Sequence, residues 1–227
     1  MKMTDNKTFG KTLLLSGGKT DIDFVSIYLK SHKFDTVVCA DSGLETACKL
    51  DVKVDCFMGD FDSVSPGILD KYMNKMIKSS IDAQFIRYPA EKDATDTELV
   101  LDYILENYPS QIIIIGATGG RIDHLLANIG ILSKALENII DSYNKIYLID
   151  GETELYKDDI WSKYISFYPY TDEVKNLRLS GLKYELEGVD VIKGSSRTVS
   201  NEFAEGIDKA YVSFDSGILT VIQSKDK

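Results

Sequence analysis

The sequence predicts an α/β fold: an open, mostly parallel sheet with flanking helices, followed by a small all-β sandwich domain. Three observations lead there. Ile112-Ile113-Ile114-Ile115 is an apolar run without alternation, as expected of a strand covered on both faces in a parallel sheet. Short apolar runs alternate with helical periodicity through residues 1–150. After Asp150-Gly151 the helical patterns stop, and brief β-prone runs separated by glycine take over. The expected domains are therefore 1–150 and 151–227.

Taken in order, Thr12–Ser16 is the first expected strand. Asp21 and Asp23 then stand at a helix start, where carboxylates cap free amides, and His32 stands at that helix's C-terminal end. Further strands are expected at Thr36–Ala40, Asp55–Met58 and Phe85–Tyr88. Leu101, Ile104, Leu105 and Tyr108 repeat at helical spacing and predict a helix over Thr95–Tyr108. A strand at Gln111–Ala117 precedes a second helix over Asp123–Ile140, whose stripe is Leu125, Leu126, Ile129, Leu132 and Leu136. Lys145–Ile149 is the last strand before the texture changes. Beyond it, strands are expected at Ile165–Tyr168, Lys183–Glu187, Val189–Ile192, Ala210–Phe214 and Ile218–Ile222, with Asp215-Ser216-Gly217 read as the hairpin turn joining the last two.

The chain has 227 residues, with 26 Lys+Arg against 36 Asp+Glu, a net charge of −10. The acid excess is spread over both segments and excludes a nucleic-acid partner, which would need a basic face against phosphates. The apolar runs are too short to span a bilayer, and the first residues lack the apolar stretch of a signal peptide, so no membrane association is expected. Cys39, Cys48 and Cys56 form no C-x-x-C pair and read as reduced thiols, which points to a cytoplasmic protein.

The informative feature is where the carboxylates fall. Asp41 ends the second strand, Asp60 and Asp62 follow the third, Asp93 and Asp96 follow the fourth, and Asp123 follows the fifth. Ligands of an open parallel sheet bind at the carboxyl ends of its strands, so these acids are expected to converge on one crevice. Each also has a plainer reading. Asp93 and Asp96 suit a helix N-terminus, and Asp60 and Asp62 suit a turn. Four strand ends finishing in aspartate favour the shared site. Two carboxylates ~5 Å apart repel by roughly 3 kcal/mol at an effective dielectric of ~20, so such a cluster calls for a cation. An all-oxygen donor set suits Mg²⁺, which commonly shares its shell with substrate phosphates. Gly116, Gly119 and Gly120 let a ligand approach the backbone, and Arg121 suits phosphate oxygens. No Walker A or G-x-G-x-x-G motif is present. His124, in the first turn of an apolar helix, reads as a packing residue rather than a general base.

The blocks ADSG at 40–43, GDFDS at 59–63, KDATDTEL at 92–99 and GATGGRIDH at 116–124 resemble, in order, those of the thiamine pyrophosphokinase family. GLKYEL at 181–186 and SRTVSNEF at 196–203 are similar to the family's C-terminal domain. The resemblance implies Mg²⁺-dependent transfer of a pyrophosphoryl group from ATP to thiamine, giving thiamine diphosphate and AMP. It implies a homodimer with shared active sites, an α/β domain that binds ATP and Mg²⁺, and a β-sandwich for thiamine binding and dimerisation. Carried onto this chain, Asp60, Asp62 and Asp96 match metal positions. Asp60, Asp62, Thr95, Asp96, Arg121 and Asp123 match ATP contacts, and Ser200 and Asn201 match thiamine contacts. Asp41, Asp62, Asp96 and Asp123 match catalytic positions, with Asp41 or Asp123 left as acceptor of the alcohol proton. The chain departs from the family's D-G-G at Asp41-Ser42-Gly43. The competing readings are a pyrophosphokinase for another small alcohol, such as a hydroxymethylpterin, and a non-catalytic thiamine or nucleotide sensor.

Overall fold

A computed structural model describes residues 10–79, 83–89, 91, 93–108, 110–135 and 138–226. The N-terminal segment 1–9, Lys92 of the KDATDTEL block and Leu136 of the expected helical stripe lie outside the described residues. The chain divides into two compact units, 1–131 and 132–227.

The first unit runs β1 (Gly10–Leu15), α1 (Ile22–Ser31), β2 (Thr36–Ala40), α2 (Gly43–Leu50), β3 (Cys56–Gly59), α3 (Ile68–Ser79), β4 (Gln84–Arg87), α4 (Asp96–Asn107), β5 (Ser110–Ile115) and α5 (Ile122–Ile131). Its strands are parallel in the order β4-β3-β2-β1-β5. Leu13, Leu14, Leu15, Ile112, Ile114 and Ile115 are fully buried, which is why these two strands lack alternation. α2 packs beside α1 and α3, and against β1 and β2; α4 packs beside α5, and against β2 and β3. The expected caps of α1 are in place: the Asp21 carboxylate accepts from the Phe24 amide at 3.0 Å, and the His32 amide closes the last turn onto the Tyr28 carbonyl. Cys39, Cys48 and Cys56 are free thiols, two of them buried.

The second helix is shorter than its apolar stripe suggested. α5 ends at Ile131, a 3-10 turn covers Leu132–Lys134, and β6 (Asn138–Ile140) follows. Gly130 weakens the last turn, and Ile139 pairs with Ile146 in an antiparallel ladder to β7 (Asn144–Ile149). β-branched isoleucines that fit the helical period are taken by a sheet instead. Leu126, counted in the stripe, is 64% exposed.

The second unit continues with β8 (Thr153–Tyr156), β9 (Tyr164–Pro169), β10 (Glu173–Ser180), β11 (Leu186–Ile192), β12 (Lys209–Ser213) and β13 (Leu219–Ser224). β6-β7-β13-β9 form one antiparallel set of neighbours and β11-β10-β12-β8 another. Ile165, Phe167, Leu219 and Val221 of the first set share a core with Val174, Leu177, Leu179, Ala210 and Val212 of the second. β7 ladders with β13 along its whole length, and residues 132–149 fall in the second compact unit.

Two details differ from the sequence expectation. In place of separate strands at Lys183–Glu187 and Val189–Ile192 there is one strand, β11, which starts only at Leu186 and passes through Gly188 at φ +73°. The bulged β10–β11 register lodges Asn176 where a Gly188 Cβ would stand. Asp215-Ser216-Gly217 is not a hairpin turn. β12 pairs with β10 and β8, β13 with β7 and β9, so the turn carries the chain from one sheet to the other. Its polar groups are held by β10 and the residues just before it: Asp215 N–H donates to the Lys175 carbonyl of β10 at 2.9 Å, and Ile218 N–H to Thr171 Oγ1 at 3.1 Å. Gly217 has φ +104°, and a Cβ there would lie 2.6 Å from the Glu173 carbonyl oxygen. Gly217→Ala is therefore expected to destabilise the protein by about 2 kcal/mol or more, read from the urea midpoint; an unchanged midpoint contradicts the crossover geometry.

Candidate active site

The site is built at the carboxyl ends of the parallel strands, where the order reverses between β1 and β5. A cleft of about 420 Å³ opens there, entirely within the first unit. After β1 come Ser16, Gly17, Gly18 and Lys19; after β2, Asp41 and Ser42; Thr95, Asp96 and Thr97 open α4; Gly116, Gly119, Gly120 and Arg121 follow β5.

Asp41 is 8% exposed, and its Oδ1 has no hydrogen-bond partner. Its backbone is left-handed, at φ +46°. A Cβ on Gly59 would press to 3.1 Å from the Asp41 Cα, so the first residue of the GDFDS block is glycine for packing reasons. Phe61, also left-handed at φ +62°, turns the chain between Asp60 and Asp62. Its ring is anchored against Phe57 and Phe85, with centroids 6.0 and 5.2 Å away. The Asp62 amide donates to Asp60 Oδ1 at 3.2 Å, and the Ser65 amide donates to Glu45 of α2 at 2.7 Å. These constraints bring one carboxylate oxygen each from Asp41, Asp60 and Asp62 to within 4.8 Å of one another.

The electrostatics follow from that crowding. Burial pushes the Asp41 carboxyl above the usual carboxylate range, hydrogen bonds from Ser42 and Ser63 oppose the shift, and the charges of Asp96 and Asp60 add to it. After β5, Arg121 binds Asp123 through two hydrogen bonds, the Nε–Oδ1 one at 3.1 Å. That guanidinium holds the Asp123 carboxyl down at about 2.

Of the residues expected at the site, Asp41, Thr95, Asp96 and Arg121 line the cleft. Asp60 and Asp62 join Asp41 in the carboxylate trio, and Asp123 is the counter-ion of Arg121. Thr95 caps α4 by accepting from the Glu98 amide at 3.2 Å, so Asp96 is a first-turn acid rather than the cap. Asp93 is exposed and does not line the cleft; His124 does, and it is exposed there rather than packed as the sequence suggested. Ser200 and Asn201 lie in the second unit. Ser200 is exposed with φ +57°, whereas Asn201 is 2% exposed and its amide bonds the Tyr184 carbonyl and the amides of Tyr184 and Glu202.

One part of the wall escaped the sequence reading, the Ser16-Gly17-Gly18-Lys19 loop. Its signal was Gly-Gly-Lys directly after an apolar strand, passed over because that strand end carries no aspartate.

For Asp41 the sign of the linkage is set by a folded pKa above the unfolded one. Without metal, the charged carboxylate costs stability at neutral pH, and the cost fades as pH falls through the raised pKa. Asp41→Asn is therefore expected to melt higher than the parent at neutral pH in EDTA, with the gap closing toward acid. Thermal unfolding across a pH series reads this directly, and a variant no more stable than the parent at pH 7 rejects it.

Comparison with known proteins agrees with this architecture. Residues 28–144 match the family model described as thiamin pyrophosphokinase, catalytic domain, and residues 152–219 match thiamin pyrophosphokinase, vitamin B1 binding domain. The chain is 36% identical over 197 residues to the thiamine pyrophosphokinase of Bacillus subtilis (strain 168), covering 84% of each. A crystal structure of thiamine pyrophosphokinase from Bacillus subtilis superposes with a TM-score of 0.80 at 29% identity, covering 96% of this chain and all (100%) of that one. A thiamin pyrophosphokinase family protein from Enterococcus faecalis gives 0.77 at 34% identity, with the same coverage. With both family models matched in order and the strand-end carboxylates in place, this chain belongs to the thiamin pyrophosphokinase family.

Proposed function

We propose that this chain transfers the terminal pyrophosphoryl group of ATP to the hydroxyethyl oxygen of thiamine, releasing AMP, with Mg²⁺ as its metal. The observation that carries the reading is the carboxylate trio beside a glycine-walled cleft. Three carboxylate oxygens within 4.8 Å, one of them on a buried side chain with an unsatisfied Oδ1, form a repulsive all-oxygen set that fits a hard divalent cation. Bound there, Mg²⁺ would neutralise charge on the phosphate oxygens during transfer.

The remaining roles fall to the chain's own groups. Asp41, Asp60 and Asp62 hold the metal side of the cleft, and Asp96 faces them from the first turn of α4. Gly116, Gly119 and Gly120 admit the phosphates to the backbone, and Arg121 offsets charge on the nucleotide. As the thiamine oxygen bonds to the β-phosphorus, the bond to the α,β-bridging oxygen breaks and AMP departs. Of the two acids considered for the alcohol proton, Asp123 is the weaker base, because Arg121 stabilises its anion. Ser200, exposed on the second unit, is assigned to thiamine, and Asn201 to holding the Ser200 loop in shape.

A homodimer is part of this reading: Ile122 and Leu126 on α5 are 73% and 64% exposed, an apolar surface of the kind a second subunit covers. No helix among the described residues is long and apolar enough to cross a membrane, and the three free thiols suit a reducing, cytoplasmic setting.

Incubation with ATP, Mg²⁺ and thiamine is expected to yield AMP and thiamine diphosphate in equal amounts. ADP as the nucleotide product, or preference for a hydroxymethylpterin in direct competition, overturns the reading. Asp62→Asn is expected to lower turnover by roughly 10²-fold or more while the far-UV circular dichroism stays that of the parent; near-parental turnover removes Asp62 from the metal set.

A further inference from the structure

Arg121 is the cation that the sequence points to in the cleft, and it shares its charge between Asp123 and any nucleotide bound there. Asp123 takes the guanidinium through two hydrogen bonds on the same loop. The acids Asp41, Asp60, Asp62 and Asp96 add four negative charges around the same space. A triphosphate carried in with one divalent cation remains an anion, so the cleft gains from a second positive charge beside Arg121.

Lys19 supplies it. It lines the cleft, is exposed, and forms no ion pair with any described residue. Its backbone is held at several points, so the side chain projects from a fixed base. The Gly18 amide donates to the Gly116 carbonyl at 2.8 Å, and Thr20 Oγ1 donates to the Gly18 carbonyl at 3.0 Å. A Cβ on Gly119 would collide with the Lys19 carbonyl oxygen, and one on Gly18 with the Gly116 carbonyl oxygen, so the two loops touch backbone to backbone. Ser42 adds a tether: its hydroxyl donates to the Gly17 carbonyl at 3.1 Å. The catalytic-domain match begins at residue 28, so nothing in that match covers Lys19.

We propose that Lys19, on the loop after β1, is the second phosphate-binding cation of the cleft and contacts the polyphosphate of ATP directly. The proposal rests on the ATP-dependent reading above.

The test compares Lys19→Ala, Lys19→Arg and, as a control for net charge, Lys30→Ala on the exposed last turn of α1. At saturating Mg²⁺, Lys19→Ala is expected to raise KM for ATP roughly tenfold, as for one lost charge-assisted contact. KM for thiamine should be unchanged, Lys19→Arg should recover most of the loss, and Lys30→Ala should match the parent. Equilibrium titration without thiamine should show the same roughly tenfold weakening for ATP and none for adenosine. An unchanged KM for ATP, equal losses for ATP and adenosine, or no recovery with arginine overturns the assignment. If the parent binds ATP but makes no thiamine diphosphate, the activity fails while the titration still decides the role of Lys19.

Discussion

β1 is hydrogen-bonded along both edges, in register with β2 from Thr12↔Thr36 to Leu15↔Cys39 and with β5 from Gly10↔Ser110 to Leu15↔Ile115. Because all of these pairings are parallel, every strand of the first unit ends on the same edge. Because the chain returns to the far side of β1 only with β5, the loops after these two strands part and leave a crevice between them. The aspartates after β2 and β3, the first turn of α4 and the glycines after β5 reach one space only through that ladder. Disturb the β1 register and each of them loses its neighbours.

The crevice stores electrostatic cost in a defined place. Asp41 is buried, carries an unsatisfied oxygen and has its carboxyl pushed up by burial, while Asp60 and Asp96 add to the shift. Tight packing prevents relaxation: Gly59 lies against the Asp41 backbone, and the Phe61 ring is locked among Phe57 and Phe85 although its backbone is left-handed. Holding acids this close costs electrostatic free energy that the packing does not relieve. Elsewhere in the cleft lining the charge is arranged differently, with Arg121 paired to Asp123 and Lys19 forming no ion pair among the described residues.

Much of this was legible in the residues. The all-isoleucine run announced a two-sided parallel strand, and aspartates at strand ends announced the acid cluster. What misled was local pattern with two tertiary solutions. Ile139 and Ile140 fit a helical stripe and a strand equally well, and pairing with β7 decided for the strand. Asp215-Ser216-Gly217 has the composition of a hairpin turn, yet bonds from the turn to Thr171 and Lys175 send the chain across to the other sheet. Gly188 looked like a break between strands and is a bulge within one. In each case the deciding partner is distant in sequence, where periodicity carries no information.

The sequence by itself determined the five parallel strands of the first unit, the helix ending at Asn107, the family resemblance and the strand-end positions of Asp41, Asp60 and Asp62, because these follow from local periodicity and from motifs whose residues are contiguous. Only the tertiary structure decided that Asp41 joins Asp60 and Asp62 while Asp93 stands apart, that Arg121 is already paired, and that Lys19 belongs to the cleft. Those outcomes depend on strand order, and strand order is set by which strands find hydrogen-bond partners across the whole domain, a choice that the spacing of residues along the chain does not encode.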